Sequence, residues 1–217
     1  PYLSRGLGDV YKRQNNYWAY YDTESDVWTG YVMSGQVTSL YTLSIPNYQL
    51  VVNMAGELVE TSVDNGDGTF TYNVPVREGY TWSDGSPITA NDWEFTFDTV
   101  KSLSLGGNFL SSYPYSCEDE EGTAKNCVVS VVASDDYTVS ITFNYDPGLS
   151  TWQYGTAQGI AFSKAYWEQY ATDKETLYAH DATNAPVASA FVYDKLEQGA
   201  FYTCLLYTSP SPRDRYG

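Results

Sequence analysis

The sequence is short of several residue types, and each shortage argues against a class of function. Its 217 residues include one histidine, His180, together with three cysteines and two methionines. A single histidine gives little support to a Ser-His-Asp triad or to a metal centre built from several histidines. No glycine-rich phosphate-binding loop occurs either. We therefore expect a protein that is not an enzyme and that holds no metal or cofactor.

Basic residues are also scarce, with 11 Lys and Arg against 27 Asp and Glu and a formal net charge of −16. Because nucleic-acid backbones are bound chiefly by Lys and Arg, we expect no nucleic-acid partner. The longest apolar run, at 128–133, is interrupted by Ser130 and falls far short of the ~20 residues that cross a bilayer. Apolar residues still make up 42% of the chain, which is enough for a packed core.

The two ends of the sequence are related at the DNA level. Codons can be chosen for residues 204–214 whose reverse complement, in a shifted frame, encodes residues 4–13 and the start of Gln14. This segment resembles the transposase adapter used in shotgun sequencing libraries, and such translated scars are left out of fold reasoning. We therefore expect residues 1–14 and 204–217 to be translated adapter. The native part is then residues 15–203, an internal fragment of a longer gene with a net charge of −19.

Two cysteines of the expected native part, Cys117 and Cys127, bracket a polar loop at 118–126. A disulfide between them would close this loop without disturbing a core, and it would indicate an oxidising compartment. Two unrelated thiols are the alternative. A metal site is disfavoured because only His180 could join the cysteines, and it is distant in sequence.

Alternating apolar residues predict two β-hairpins. In the first, strands at 58–63 and 69–76 flank a turn rich in Asn and Gly, residues that supply the positive φ of a tight turn. In the second, strands at 128–133 and 137–143 are joined by a short acidic turn.

A helix is predicted between the two hairpins, over residues 90–102. Thr89 is a suitable N-cap for it. Trp93, Phe97 and Val100 then form one apolar stripe that would pack on the sheet.

The C-terminal part is predicted to be less regular. A helical stretch is expected after the turn at 146–148, and a short helix is expected at 164–170 with Ser163 as its cap. Polar residues predict a loop at 172–184, which a last strand at 191–196 follows. These elements together predict a mixed α and β fold.

Residues 76–97 carry four motifs in a fixed order: Arg-x-Gly from Arg77, an aromatic residue, Asp-Gly-x-Pro from Asp84, and Thr-Ala-x-Asp from Thr89 at the start of the predicted helix. This order resembles the signature of the extracytoplasmic solute-binding proteins of the oligopeptide, dipeptide and nickel class, bacterial solute-binding protein family 5. The hairpin at 131–143 and the segment at 186–191 resemble later parts of the same family.

The resemblance implies a fold and a function. Members of this family consist of two lobes that close over a ligand, and they are commonly more than twice as long as this chain. We therefore expect residues 15–203 to be a partial first lobe of a type II periplasmic-binding-protein-like fold. The resemblance implies a monomer outside the cytoplasm, in the periplasm or lipid-anchored, which delivers peptides or other small solutes to the permease subunits of an ABC importer.

The resemblance also places a loop that faces the ligand cleft at residues 15–41. On this loop, Trp18 and Tyr21 are predicted to stack on the ligand and Asp22 to bind a ligand amine. The alternative is that these side chains simply pack the lobe.

A carbohydrate-binding module is the alternative function. The six Trp and 22 Tyr residues could stack on sugar rings. Several separated strands with exposed aromatic side chains would favour this module, whereas the helix predicted at 90–102 counts against it.

Overall fold

A four-stranded antiparallel sheet carries one long helix on its face. The computed structural model describes Trp18, Tyr21, residues 38–105 and 127–189, and the backbone of residues 191–197 and 201–206. The strands lie in the spatial order β4-β5-β7-β6, and their bounds are Val63–Asp64 (β4), Phe70–Pro75 (β5), Val128–Asp135 (β6) and Thr138–Phe143 (β7).

The apolar alternation seen in the sequence determines which face of this sheet is buried. Tyr72 and Val74 of β5 and Val139, Ile141 and Phe143 of β7 are all at most 2% exposed. Residues two apart in a strand share one face, so these five side chains lie together in the core, where Val128 and Val131 of β6 join them. The predicted second hairpin is confirmed by β6 and β7, and the second strand of the first hairpin is confirmed by β5. The predicted strand at 58–63 is wrong, because residues 58–62 are not in a strand and β4 covers only Val63–Asp64.

The long helix α1 spans Ala90–Ser102, as the sequence predicts. Thr89 is its N-cap residue, and the Thr89 N–H donates to Asp92 Oδ2 at 2.9 Å. Trp93, Phe97 and Val100 are fully buried, so the predicted apolar stripe is confirmed.

Helix α1 also bonds to β6, which lies at one edge of the sheet. Glu94 Oε2 accepts from the Ala133 N–H at 2.8 Å. Lys101 Nζ donates to the Val129 carbonyl at 3.4 Å. Two polar side chains of the helix therefore satisfy main-chain groups of an edge strand.

Three smaller antiparallel pairs complete the strands. Residues before α1 supply strands for two of the pairs, and the third pair lies at the C-terminal side. Their bounds are Thr38–Ser39 (β1) with Ile160–Ala161 (β8), Tyr41–Leu43 (β2) with Leu50–Val52 (β3), and Phe191–Glu197 (β9) with Phe201–Leu206 (β10).

Short helical segments follow the sheet in the chain. They are Gly148–Thr151 (α2), Lys164–Trp167 (α3) and Lys174–Ala179 (α4), with 3-10 turns at Thr156–Gln158 and Ala182–Asn184. The predicted helix at 164–170 is therefore shorter than expected. Ser163 lies at its N-cap position but makes no capping bond with its side chain.

The prediction of a loop at 172–184 is wrong, because α4 lies within it. Asp173 Oδ1 accepts from the Thr176 N–H at 2.8 Å and so caps this helix. Leu177 is fully buried and anchors the helix to the core. One cap and one apolar residue are enough here, although most of the segment is polar.

Strand β10 continues past position 203, where the sequence analysis places the end of the native part. Cys204, Leu205 and Leu206 pair with residues of β9. Their membership of a strand does not identify the DNA from which they derive. The division into residues 1–14, 15–203 and 204–217 therefore stays a prediction.

Candidate functional site

One side of α1 binds the main chain of residues 159–164, which we call the crossover segment. Trp93 Nε1 donates to the Gly159 carbonyl at 3.3 Å, and the Thr96 hydroxyl accepts from the Phe162 N–H at 2.9 Å. Trp93 and Thr96 are fully buried. Because buried main-chain groups need hydrogen-bond partners, these side chains take the place of a neighbouring strand.

Asp92 makes the third bond from α1 to the crossover segment. Its carboxylate accepts from the Lys164 N–H at 2.8 Å, from the Thr89 N–H at 2.9 Å and from Trp82 Nε1 at 3.2 Å. Burial raises the pKa of Asp92, while these hydrogen bonds act in the opposite direction. Asp92 is 4% exposed, so this signature residue joins three parts of the lobe and is not available to a solute.

Gly159 is required by the close approach of the crossover segment to α1. A Cβ atom at this position would lie 2.2 Å from Phe97 Cζ and 2.9 Å from Phe97 Cε1. The ring of Phe97 is fully buried and has little room to move. The absence of a side chain at residue 159 therefore allows the helix and the crossover segment to touch.

An aromatic cluster covers the other side of the crossover segment. The Trp18 ring centroid lies 4.6 Å from that of Phe162 and 5.9 Å from that of Trp167. The Tyr21 hydroxyl donates to the Ile160 carbonyl. The crossover segment is thus held between α1 and residues from near the start of the chain.

The predicted ligand residues Trp18 and Tyr21 lie inside this cluster. Both are 0% exposed, so neither ring offers a surface to a ligand in this conformation. Their position matches the alternative that they pack the lobe. Asp22 lies outside the described residues. Ligand binding by these three residues stays a prediction, and the enclosed position of the two rings counts against their part in it.

His180 belongs to an extension of the aromatic cluster. Its ring stacks on Tyr170 with centroids 3.6 Å apart, and its Nε2 lies 2.9 Å from the Tyr166 hydroxyl. Trp167 packs edge-on against the same imidazole at 5.4 Å. The only histidine of the chain is therefore a packing residue. Within the described part of the chain, no group of three or more His, Cys, Asp and Glu could hold a metal ion.

Cys127 is disulfide-bonded and fully buried at the start of β6. Its N–H donates to Asn144 Oδ1 at 2.7 Å, which fixes this end of the polar loop. The side chain of its partner lies outside the described residues. The pairing of Cys127 with Cys117 therefore stays a prediction.

A cavity of about 320 Å³ opens beside β3, β5 and α2. Sequence reasoning missed it because its walls come from four separate stretches of the chain, none of which carries a motif. We call it the acidic pocket, and its principal lining residues are Leu50, Glu60, Tyr72, Asp146, Trp152 and Gln153.

A more open groove of about 540 Å³ follows the outer side of α1. Its lining is of mixed charge and includes Glu94, Asp98, Lys101 and Lys164. Partial desolvation beside the helix, together with the neighbouring Glu94 carboxylate, raises the pKa of Asp98, although its side chain is exposed to solvent. Opposite charges already face each other along this groove, so it selects no ligand by charge.

A comparison with protein families decides which class of protein has this architecture. The model of the bacterial extracellular solute-binding proteins, family 5, for the middle part of these proteins, matches residues 53–203. The chain belongs to this family. The family 5 signature at 76–97 and the crossover segment both lie within the matched residues. A search of curated proteins finds no match.

Solved structures of solute-binding proteins share the family 5 fold seen here. The oligopeptide-binding protein AppA from Bacillus subtilis, in complex with a nonapeptide, has a TM-score of 0.66 and 16% identity over 85% of this chain and 33% of its own. NikZ from Campylobacter jejuni, in complex with Ni(L-His), has a TM-score of 0.59 and 17% identity over 90% of this chain and 33% of its own. A periplasmic oligopeptide-binding protein from Thermotoga maritima, bound to mannohexaose, has a TM-score of 0.59 and 15% identity over 85% of this chain and 30% of its own.

These identities establish the fold of the chain and not its ligand. The chain spans about a third of the length of these solved proteins. The predicted mixed α and β fold is confirmed, and this coverage agrees with part of one lobe. No helix among the described residues is both long and apolar enough to cross a membrane.

Proposed function

We propose that this chain is part of the solute-binding component of an ABC importer, which captures peptides or similar small solutes outside the cytoplasm. The observation that carries the proposal is the family 5 match over residues 53–203. The fold shared with AppA, which was solved with a nonapeptide, supports peptides as the solute class. In this function the permease subunits of the importer are the protein partners.

Transport of this kind needs a lobe that moves as one body while a second lobe closes on it. The bonds from Asp92, Trp93 and Thr96 to the crossover segment support such a role, because they join the sheet, the helix and the chain beyond the sheet. Solute binding would then shift an equilibrium between open and closed arrangements of two stiff lobes.

The protein acts, in this proposal, as a monomeric binding protein without catalysis. It lies in the periplasm or is lipid-anchored on the outer face of the cell membrane, which agrees with the extracellular character of the family. Asp22 is proposed as a ligand contact for an amine. A disulfide between Cys117 and Cys127 suits the oxidising compartment that this location provides.

Calorimetry on two proteins tests the proposal: this chain, and a longer gene product that contains residues 15–203. The longer protein should bind one solute of a peptide panel with submicromolar affinity and should become smaller in solution X-ray scattering when the solute is added. This chain alone should bind the same solute weakly, because a cleft buries its ligand from both sides.

Tight binding of an oligosaccharide by this chain alone would contradict the proposal and favour a carbohydrate-binding module. The stacking residues would then be exposed aromatics such as Tyr80 and Tyr154, which are each 49% exposed. Loss of sugar binding in Tyr80→Ala or Tyr154→Ala would establish that the chain acts as a carbohydrate-binding module. Trp18→Ala is not a suitable test, because Trp18 is fully buried and its removal would unfold part of the core.

A further inference from the structure

We propose that Asn65 is a site of spontaneous deamidation, which the intact turn between β4 and β5 suppresses and which opening of this turn permits. The site does not depend on the proposed transport function. Asn65 and Gly66 are both exposed, and they form the only Asn-Gly pair in the sequence. Glycine has no side chain to shield its main-chain nitrogen, so this nitrogen is open to reaction with the amide that precedes it.

The reaction needs only Asn65, Gly66 and water. The Gly66 nitrogen loses its proton and attacks Asn65 Cγ, so an N–Cγ bond forms, the Cγ–Nδ2 bond breaks, and Nδ2 leaves with the proton as ammonia. The product is a succinimide ring. Water then opens this ring at either of its carbonyl groups and gives aspartate or isoaspartate. No oxidant or reductant takes part, because the net change replaces an amide by a carboxyl and releases ammonia.

The attacking nitrogen is held back by a neighbouring carboxylate. The Gly66 N–H donates to Asp64 Oδ1 at 2.8 Å. This bond holds the proton that must leave, and the charge of Asp64 disfavours a second negative charge on the Gly66 nitrogen beside it. Loss of the proton, which begins the reaction, is therefore unfavourable while the turn is intact.

The amide of Asn65 is held as well. Its Nδ2 donates to Thr69 Oγ1 at 2.8 Å and to Thr71 Oγ1 at 2.9 Å. Thr71 Oγ1 in turn lies 2.9 Å from Thr142 Oγ1 on β7, so the amide is bonded to the sheet as well as to its own turn. Rotation of the Asn65 side chain towards the attacking nitrogen would break these bonds.

The turn can open without unfolding of the whole lobe. Strand β4 pairs with β5 at only two positions, Val63 with Thr71 and Asp64 with Phe70. A pairing this short opens at a lower free-energy cost than the complete fold. Local opening is therefore the route by which Asn65 reacts in the folded protein.

Deamidation would weaken the turn permanently. A carboxylate at position 65 has no N–H to donate to Thr69 or Thr71. The Thr69 hydroxyl already donates to Asp67 Oδ1 at 2.6 Å, so it is not free to donate to the new carboxylate. The added negative charge would also lie between Asp64 and Asp67 in the chain. A turn that has reacted once thus cannot re-form its original bonds.

Peptide mapping by mass spectrometry tests the proposal, with the full 217-residue chain kept at mildly alkaline pH either folded or in urea. Asn65 should convert at least about tenfold more slowly in the folded chain, because the reaction waits for local opening. When folded, the Thr69→Val, Thr71→Val double variant and Asp64→Ala should each convert several-fold faster than the unchanged chain. Ser140→Ala is the matched control, since its hydroxyl lies on the sheet but bonds to other residues.

Two further measurements separate the chemistry from the fold. In urea, the double variant and the unchanged chain should convert at the same rate, and Gly66→Ala should convert more slowly because a side chain shields the nitrogen. Equal rates in the folded and the urea-unfolded chain would overturn the proposal, as would an absence of conversion at Asn65 in urea. It would also fall if the double variant and Asp64→Ala, when folded, converted no faster than Ser140→Ala.

Discussion

The hairpin and helix region at 63–105 and the C-terminal region at 144–189 are built in different ways. In the first region, long elements carry their own periodic signal, and α1 begins and ends at the predicted residues. In the second region, no element exceeds six residues. Its crossover segment is held between side chains of α1 on one side and Trp18 and Tyr21 on the other.

The difference shows that one element can serve two regions at once. Helix α1 packs against the sheet, and its stripe residues Trp93 and Phe97 also contact Gly159. Its polar residues Asp92 and Thr96 bind main-chain groups far along the chain. Helix propensity and apolar spacing predict the stripe, but they contain no information about a bond between residues 66 to 72 positions apart. The following predictions test whether the C-terminal region depends on α1.

The largest loss of stability is expected from Asp92→Ala. It leaves the Lys164 N–H, the Thr89 N–H and Trp82 Nε1 without an acceptor, and we expect a loss of about 4 kcal/mol in the free energy of unfolding. Urea unfolding measures it. Asp98→Ala on the same helix is the control, since Asp98 is exposed. Similar losses of unfolding free energy in both variants would show that the hydrogen bonds of Asp92 do not stabilise the contact between the two regions.

Gly159→Ala is expected to cost about 3 kcal/mol, because the new Cβ would overlap the Phe97 ring at 2.2 Å. Gly56→Ala is the matched control, since its Cβ would meet Pro75 atoms at ordinary distances of 3.5 Å and more. Phe97→Leu should recover part of the loss when it is combined with Gly159→Ala. Additive losses in this double variant would argue against the contact.

Thr96→Val is expected to cost about 2 kcal/mol, because it keeps the shape of the side chain but removes the acceptor of the Phe162 N–H. Thr99→Val, one turn along the same helix, should be close to neutral. Amide hydrogen exchange should show faster exchange at Phe162 in the first variant only. Unchanged protection at Phe162 would mean that this bond does not hold the crossover segment.

The smallest effect is expected from the helix caps of the C-terminal region. Hydrogen bonds from Thr176 lower the pKa of Asp173, and bonds from Thr183 lower that of Asp181. A carboxyl with a lowered pKa contributes stability that is present above its ordinary pKa of 3.8 and is lost as the pH falls through its folded-state value.

Acid titration of the urea midpoint below pH 4 should therefore be shallower in the Asp173→Ala, Asp181→Ala double variant than in the unchanged protein. Glu168→Gln serves as a control for the loss of one exposed acid. Parallel titration curves for the double variant and the unchanged protein would show that these two caps contribute no acid-sensitive stability.

Sequence reasoning predicted the parts of the fold that local rules determine. The turn glycines Gly79 and Gly85 have φ of 81° and 86°, as their places in the signature require. Arg77 of the same signature binds main chain, since its Nε donates to the Ala55 carbonyl at 3.1 Å, and the motif alone does not indicate this partner. Helix α4 was missed because its cap Asp173 and its anchor Leu177 stand in an otherwise polar stretch.

The candidate sites were less predictable than the fold. The aromatic rings of Trp18 and Tyr21 suit ligand stacking, but the same rings suit a core. Which of the two applies depends on the residues that surround them in the fold, and the sequence does not show these. The acidic pocket brings together Leu50, Glu60, Tyr72, Asp146 and Trp152 from positions that span a hundred residues. No spacing rule links such positions, so the pocket became visible only once the chain was folded.

The two bonds from α1 to β6 have a consequence for self-association. An edge strand with free main-chain groups can recruit a strand from another molecule and start aggregation. Glu94 occupies the Ala133 N–H, and Lys101 occupies the Val129 carbonyl, so part of the β6 edge is already taken. The opposite edge of the sheet, β4, has only two residues and offers a poor template. Both edges of the sheet therefore offer fewer free main-chain groups to a strand of another molecule than their open position alone suggests.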